Sequence, residues 1–172
     1  KNPCSGIKSF GEDSGKKPRY LKPDELTRLY KALDDREEEK RLERERYNTW
    51  LRERSMPEIL DLRTVAFTDH LKPMTLLALN TGLRRGEIFN LHWSDCDFVS
   101  QTPMLTVRGD GAKSGKTRHI PMSNAVLDSL TKWRVQAKGN TFVFASPVTG
   151  ERMDNIKKSW TEVTKKAKLT DL

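Results

Sequence analysis

The side chains able to do chemistry in this 172-residue chain are chiefly cations. Lys and Arg number 32 against 24 Asp and Glu, a formal net charge of +8. The excess is uneven. Residues 1–100 hold 19 basic and 18 acidic side chains, whereas residues 101–172 hold 13 and 6. Guanidinium and ammonium groups crowded toward one end suit a polyanionic partner, and nucleic acid is the commonest. Two runs stand out: Thr81-Gly82-Leu83-Arg84-Arg85-Gly86-Glu87 and Ala112-Lys113-Ser114-Gly115-Lys116-Thr117-Arg118. Other chemistries lack their residues. There is no G-x-S-x-G elbow, Walker loop, H-E-x-x-H or G-x-G-x-x-G in the chain. His70, His92 and His119 stand apart, without metal-ligand spacing, and Cys4 and Cys96 make neither a disulfide framework nor a zinc site. No metal or cofactor is expected.

The elements that must carry these runs are mostly helical. Residues 1–19, with three glycines and two prolines, read as a flexible tail or linker. Pro23 opens a helix whose Leu26, Leu29, Tyr30 and Leu33 form one apolar stripe, continued through 34–54 as a charge-laced helical extension. A second apolar helix is expected over 57–70, a short buried one from Pro73 to about Asn80, and another from about Leu83 to His92. Gly82 separates the last two. Period-two alternation then takes over. Met104–Arg108 and Lys116–Pro121 read as a β-hairpin turning at Ser114-Gly115, with lysines at its tip. Helices resume at 123–137, capped by Ser123, and at 154–168, capped by Asp154. Phe142-Val143-Phe144 reads as a short apolar strand or turn. The fold class is α+β, mostly α, with a small antiparallel hairpin or three-stranded sheet. No apolar run reaches the ~20 residues of a membrane helix, and the sparing use of cysteine fits a cytoplasmic setting.

The stretch from Leu76 to Phe98 resembles the first catalytic box of the tyrosine recombinase (phage integrase) family. The matching positions are Thr81, Gly82, Arg84, Glu87, Leu91, Trp93 and Asp95. The run from Ala112 to Pro121 resembles the family's next element, a hairpin with a lysine at its tip. The resemblance covers about residues 20–172, and the order and spacing of its pieces make it strong. It departs from the family in one respect. No His-x-x-Arg occurs in the chain, and Tyr20, Tyr30 and Tyr47 all precede the first box, whereas the family's nucleophile follows the second. Residues 20–172 are therefore expected to be part of a recombinase catalytic domain, lacking the second box and the nucleophile segment.

What the resemblance implies is transesterification of a DNA phosphodiester through a 3′-phosphotyrosyl link, with double-stranded DNA as partner and self-association on DNA in a full-length protein. Arg84 would hold two non-bridging oxygens with its planar fork. Lys113 would protonate the departing 5′-oxygen. Glu87, one turn on, would orient Arg84. Arg85, Lys116, Arg118, Lys157 and Lys158 are candidate phosphate contacts, which position DNA without reading its sequence. Trp93, Trp133 and Trp160 are assigned to packing. The chain alone is expected to bind DNA without cutting it. The alternative is a non-catalytic DNA-binding or assembly module of the same fold.

Overall fold

A computed structural model describes residues 19–109, 115–137 and 139–169. The tail expected over 1–19 falls almost wholly outside the described residues, as does Lys113.

The longest element is α1, Pro23–Arg52, a single 30-residue helix. Pro23 sits at its first position, and Glu25 accepts the Lys22 backbone N–H at 2.9 Å. Its first half buries Leu29, Ala32 and Leu33 against the last helix, α5 (Lys157–Lys166), with Val163, Ala167 and Leu169. Helix α2, Leu71–Thr81, lies between the two cores. Leu71 joins the α1–α5 cluster, while Met74 and Leu77 face a larger cluster with α3 (Arg85–Phe89) and α4 (Asn124–Gln136). Ser123 caps α4 through Val126 N–H, as expected.

The sheet has three antiparallel strands in the order β1 (Cys96–Asp97), β2 (Met104–Val107) and β3 (Arg118–Pro121). Leu105 pairs with Ile120, and Val107 with Arg118. Partners across an antiparallel ladder share a face. Arg118 is thus carried on the side where Leu105 and Val107 are buried.

Three expectations needed correction. Residues 57–70 contain no α-helix, only a 3₁₀ turn at Leu62–Thr64. The segment runs extended along α1 because α1 supplies partners for its backbone. Asn48 bonds both the C=O and N–H of Ile59, Arg44 donates to Leu60 C=O, and Arg41 donates to those of Leu62 and Ala66. The helix expected over 83–92 stops at Phe89. Leu91 C=O instead accepts Val143 N–H at 2.8 Å, and His92 pairs with Phe142. The last helix starts at Lys157, not at an Asp154 cap, with Asn155 Oδ1 accepting Lys157 N–H.

Gly82 ends α2 with φ +65°, and its N–H bonds Ala78 C=O. Nothing lies within 4 Å of a Cβ built there, so the backbone alone would oppose a side chain. Gly82→Ala is expected to cost about 1 kcal/mol in urea unfolding, with a larger loss if the Arg84 turn is disturbed.

Candidate functional site

The Arg84 turn is built around a buried carboxylate. Arg84 is extended (φ −69°, ψ 151°) immediately before α3, and its N–H donates to Glu87 Oε2 at 2.8 Å. That bond closes the first turn of the helix and fixes where the Arg84 side chain leaves the backbone. The guanidinium itself is 64% exposed and comes no nearer to Glu87 Oε1 than 3.6 Å, beyond hydrogen-bonding distance. Its donors therefore remain largely open to solvent.

Glu87 has a stronger partner. Arg118 donates from both terminal nitrogens to the two carboxylate oxygens, at 2.9 and 2.8 Å. This fork-to-fork pair joins β3 to α3 across 31 residues of chain. The hydrogen bonds from Arg118 hold the Glu87 carboxyl below its ordinary range, so it stays ionised. Arg118, expected among the phosphate contacts, turns its fork inward to Glu87. The arrangement leaves Arg84 as the exposed cation of the three.

A second pair mirrors the first. Arg108, just after β2, donates from Nε to Asp95 Oδ1 at 2.7 Å and from Nη2 to Ser94 Oγ at 3.2 Å. Asp95 is buried, and its other oxygen accepts His92 N–H. Sequence reasoning passed over Arg108. The available signal was the acid of the Trp93-x-Asp95 motif, which once buried requires a cation or donors. Glu87, Asp95, Arg108, Thr106, His92 and Phe142 line one side of a cleft of about 340 Å³.

At the root of the β2–β3 hairpin, the Arg118–Glu87 pair clamps the β3 arm to the Arg84 turn, and the Arg108–Asp95 pair ties the β2 arm to the Trp93–Asp95 turn. Beyond the root, Gly109 and Gly115 are in contact. A Cβ on Gly109 would lie 2.6 Å from Gly115 C=O oxygen, so a side chain there would force the two arms apart. Lys113 belongs to the segment between these glycines and lies outside the described residues. Lys116 follows on the exposed return arm.

The remaining basic candidates do not join this cluster in one patch. Arg85 and Lys157 line a separate, mostly apolar groove of about 430 Å³ with Ile88, Phe89, Ile156 and Trp160. Lys158 is exposed on α5. Trp133 is half-buried, stacks on Phe144 and donates to Val143 C=O, in keeping with a packing role. Cys96 is no nucleophile at neutral pH, since burial pushes its thiol up to about 12.

A model of the phage integrase family matches residues 49–172. Among solved structures, the chain is similar to XerA recombinase at 21% identity and a TM-score of 0.57. That match covers 91% of this chain and 45% of the XerA chain, so this chain spans under half the length of that relative. At this identity the likeness shows the fold: mostly helical, with a three-stranded antiparallel sheet. No curated protein gives a significant match. Among the described residues, no helix is long and apolar enough to cross a membrane.

Proposed function

The chain belongs to the phage integrase family, and from that premise we propose that it forms the Arg84-bearing part of a site-specific DNA recombinase. The observation that carries this reading is the division of labour around Glu87. One arginine, Arg118, neutralises the buried carboxylate and ties down the hairpin, which leaves Arg84 positioned but not consumed. A scissile phosphate needs such a preorganised, exposed fork, because charge on its non-bridging oxygens rises in the transition state.

The residue roles follow. Arg84 grips two phosphoryl oxygens. Lys113, carried between Gly109 and Gly115, delivers a proton to the departing 5′-oxygen. Glu87 and Arg118 act as positioning residues. Arg85, Lys116, Lys157 and Lys158 contact flanking phosphates. The tyrosine nucleophile and a His-x-x-Arg segment come from sequence other than these 172 residues, since Tyr20, Tyr30 and Tyr47 lie on the amino-terminal side of the Arg84 turn. Tyr30 is half-buried against the α1–α5 core, and Tyr47 stacks on Trp50. The full-length recombinase self-associates on DNA.

Binding of the 172-residue chain to duplex DNA tests the interface. With about five phosphates engaged, the slope of log K against log salt should be near −4.5. No covalent adduct should form on a nicked suicide duplex with this chain alone, whereas a protein that continues into His-x-x-Arg and a tyrosine should trap one. A salt-independent affinity would remove the DNA interface. Failure of the longer protein to form an adduct would leave the non-catalytic module as the better account.

A further inference from the structure

The distal half of α1 carries a face that nothing among the described residues covers. The core-facing stripe of its first half, Leu29, Ala32 and Arg36, is buried against the body. The same stripe continues along the helix as Glu43, Tyr47 and Trp50, spaced by 4 and 3 residues and therefore on one side, and Arg54 follows in the turn just past the helix's end at Arg52. Tyr47 and Trp50 are 49% and 42% exposed. They stack with ring centroids 5.7 Å apart, and the Arg54 guanidinium lies 4.2 Å above the Trp50 ring. This ordered stack of two aromatics and a guanidinium is the composition of an interface anchor rather than of solvated surface.

The charges at the two ends of the stripe identify the occupant. Glu43, exposed and without an ion-pair partner among the described residues, stands at one end. Arg54 stands at the other, donating to Trp50 C=O at 3.2 Å and, among the described residues, with Glu53 at 3.7 Å as its only ion-pair partner. The sequence acid–aromatic–aromatic–base reads as its own complement when reversed. We propose that this face docks on the same face of a second copy of the chain, antiparallel about a two-fold axis between residues 48 and 49. In that arrangement Glu43 of each copy meets Arg54 of the other, and Tyr47 meets Trp50. Such a contact is isologous and closes at a dimer.

Nucleic acid suits this face poorly. Residues 38–63 hold seven basic and seven acidic side chains, against the strong basic excess of the carboxy-terminal part. A charge-balanced surface releases few counterions from DNA. The stripe is about 16 Å long and falls short of the ~800 Å² per partner of a standard stable interface. The dimer is therefore weak, with a dissociation constant on the order of 10–500 µM, and it forms without DNA. It does not depend on the recombination reading.

Sedimentation equilibrium of the chain, without DNA, decides the matter. Glu43→Arg or Arg54→Glu alone should weaken the dimer by about tenfold or more, since each sets like charges opposite one another. The double variant Glu43→Arg/Arg54→Glu should return to within about threefold of the original, because the complement is restored with the order reversed. Trp50→Ala should abolish association while circular dichroism reports an unchanged helix. A chain monomeric at about 1 mM, single swaps without effect, or a double swap that fails to recover would each overturn the proposal. So would swaps that lower affinity for duplex DNA and leave self-association unchanged.

Discussion

Arg84→Ala is expected to lower the single-turnover rate of phosphotyrosyl adduct formation by about 10²–10³, the loss of ~3–4 kcal/mol of transition-state stabilisation that one positioned donor supplies. The measurement uses a recombinase containing this chain together with its tyrosine-bearing segment. Two features of the site separate this effect from misfolding. The Arg84 side chain is 64% exposed and its contact with Glu87 is long, so truncation removes little folding energy. The capping bond is made by the Arg84 backbone, which alanine retains. DNA affinity should stay within about threefold, because one phosphate contact among several is lost. Arg84→Lys should recover only a small part of the rate, since an ammonium keeps the charge but cannot present a planar fork. An adduct rate unchanged in Arg84→Ala would remove the role assigned to this residue.

Asp69→Asn is expected to destabilise the chain by about 3 kcal/mol, at the lower end of the cost of stranding one member of a buried pair. Asp69 receives both terminal nitrogens of Arg36, at 3.0 and 2.6 Å, with Lys40 at 2.9 Å and the Leu71 N–H at 2.9 Å. Arg36 is 9% exposed, so it has little water to turn to once the carboxylate is gone. The pair pins α1 to the start of α2, and hence to both cores. For a chain of this size the melting temperature should fall by roughly 6–12 °C. The substitution also has a pH signature. Burial pushes the Asp69 carboxyl up, but hydrogen bonds from Arg36, the Leu71 N–H and Lys40, together with the charge of Arg36, hold it well below the usual carboxylate range. A depressed carboxylate adds stability above its unfolded value of ~3.9 and loses it as pH falls toward the folded one. Neighbouring His70 is also shifted down, by burial, so its share begins to be lost below ~6.5. Denaturant titrations from pH 7 to 2 should therefore show an acid limb in two stages. The lower stage should shrink in Asp69→Asn, leaving the part that Glu87 and the other depressed carboxylates contribute, and the upper one should remain. A lower stage of undiminished size in Asp69→Asn would place the acid sensitivity elsewhere.

The path from sequence to structure was clearest where local chemistry and packing agree. Pro23 and Glu25 mark the start of α1, Gly82 marks the end of α2, and Ser123 caps α4. The β2–β3 pairing follows from its alternating side chains. Legibility failed where a distant partner decided the outcome. Ile59, Leu60, Leu62, Val65 and Ala66 have helical spacing, yet Arg41, Arg44 and Asn48 capture that segment's backbone in extended form. Leu91 and His92 leave the helix because the Phe142–Val143 segment pairs with them, a contact about 50 residues away in sequence. In the site, the motif pointed to Arg84 and Glu87 but gave no hint that Arg118 would take both oxygens of Glu87. Spacing along one chain carries no information about which of several arginines wins a buried carboxylate; burial and register decide it. The same holds for Arg108 and Asp95.

The most direct test is a crystal structure of the recombinase bound to its DNA site. The Arg84 guanidinium and the Lys113 ammonium should both lie within hydrogen-bonding distance of one phosphate, with Glu87 and Arg118 still paired behind them. If Lys113 instead extends from the hairpin to the opposite side of the molecule, with Arg84 touching solvent or a different phosphate, the proposed active site is contradicted.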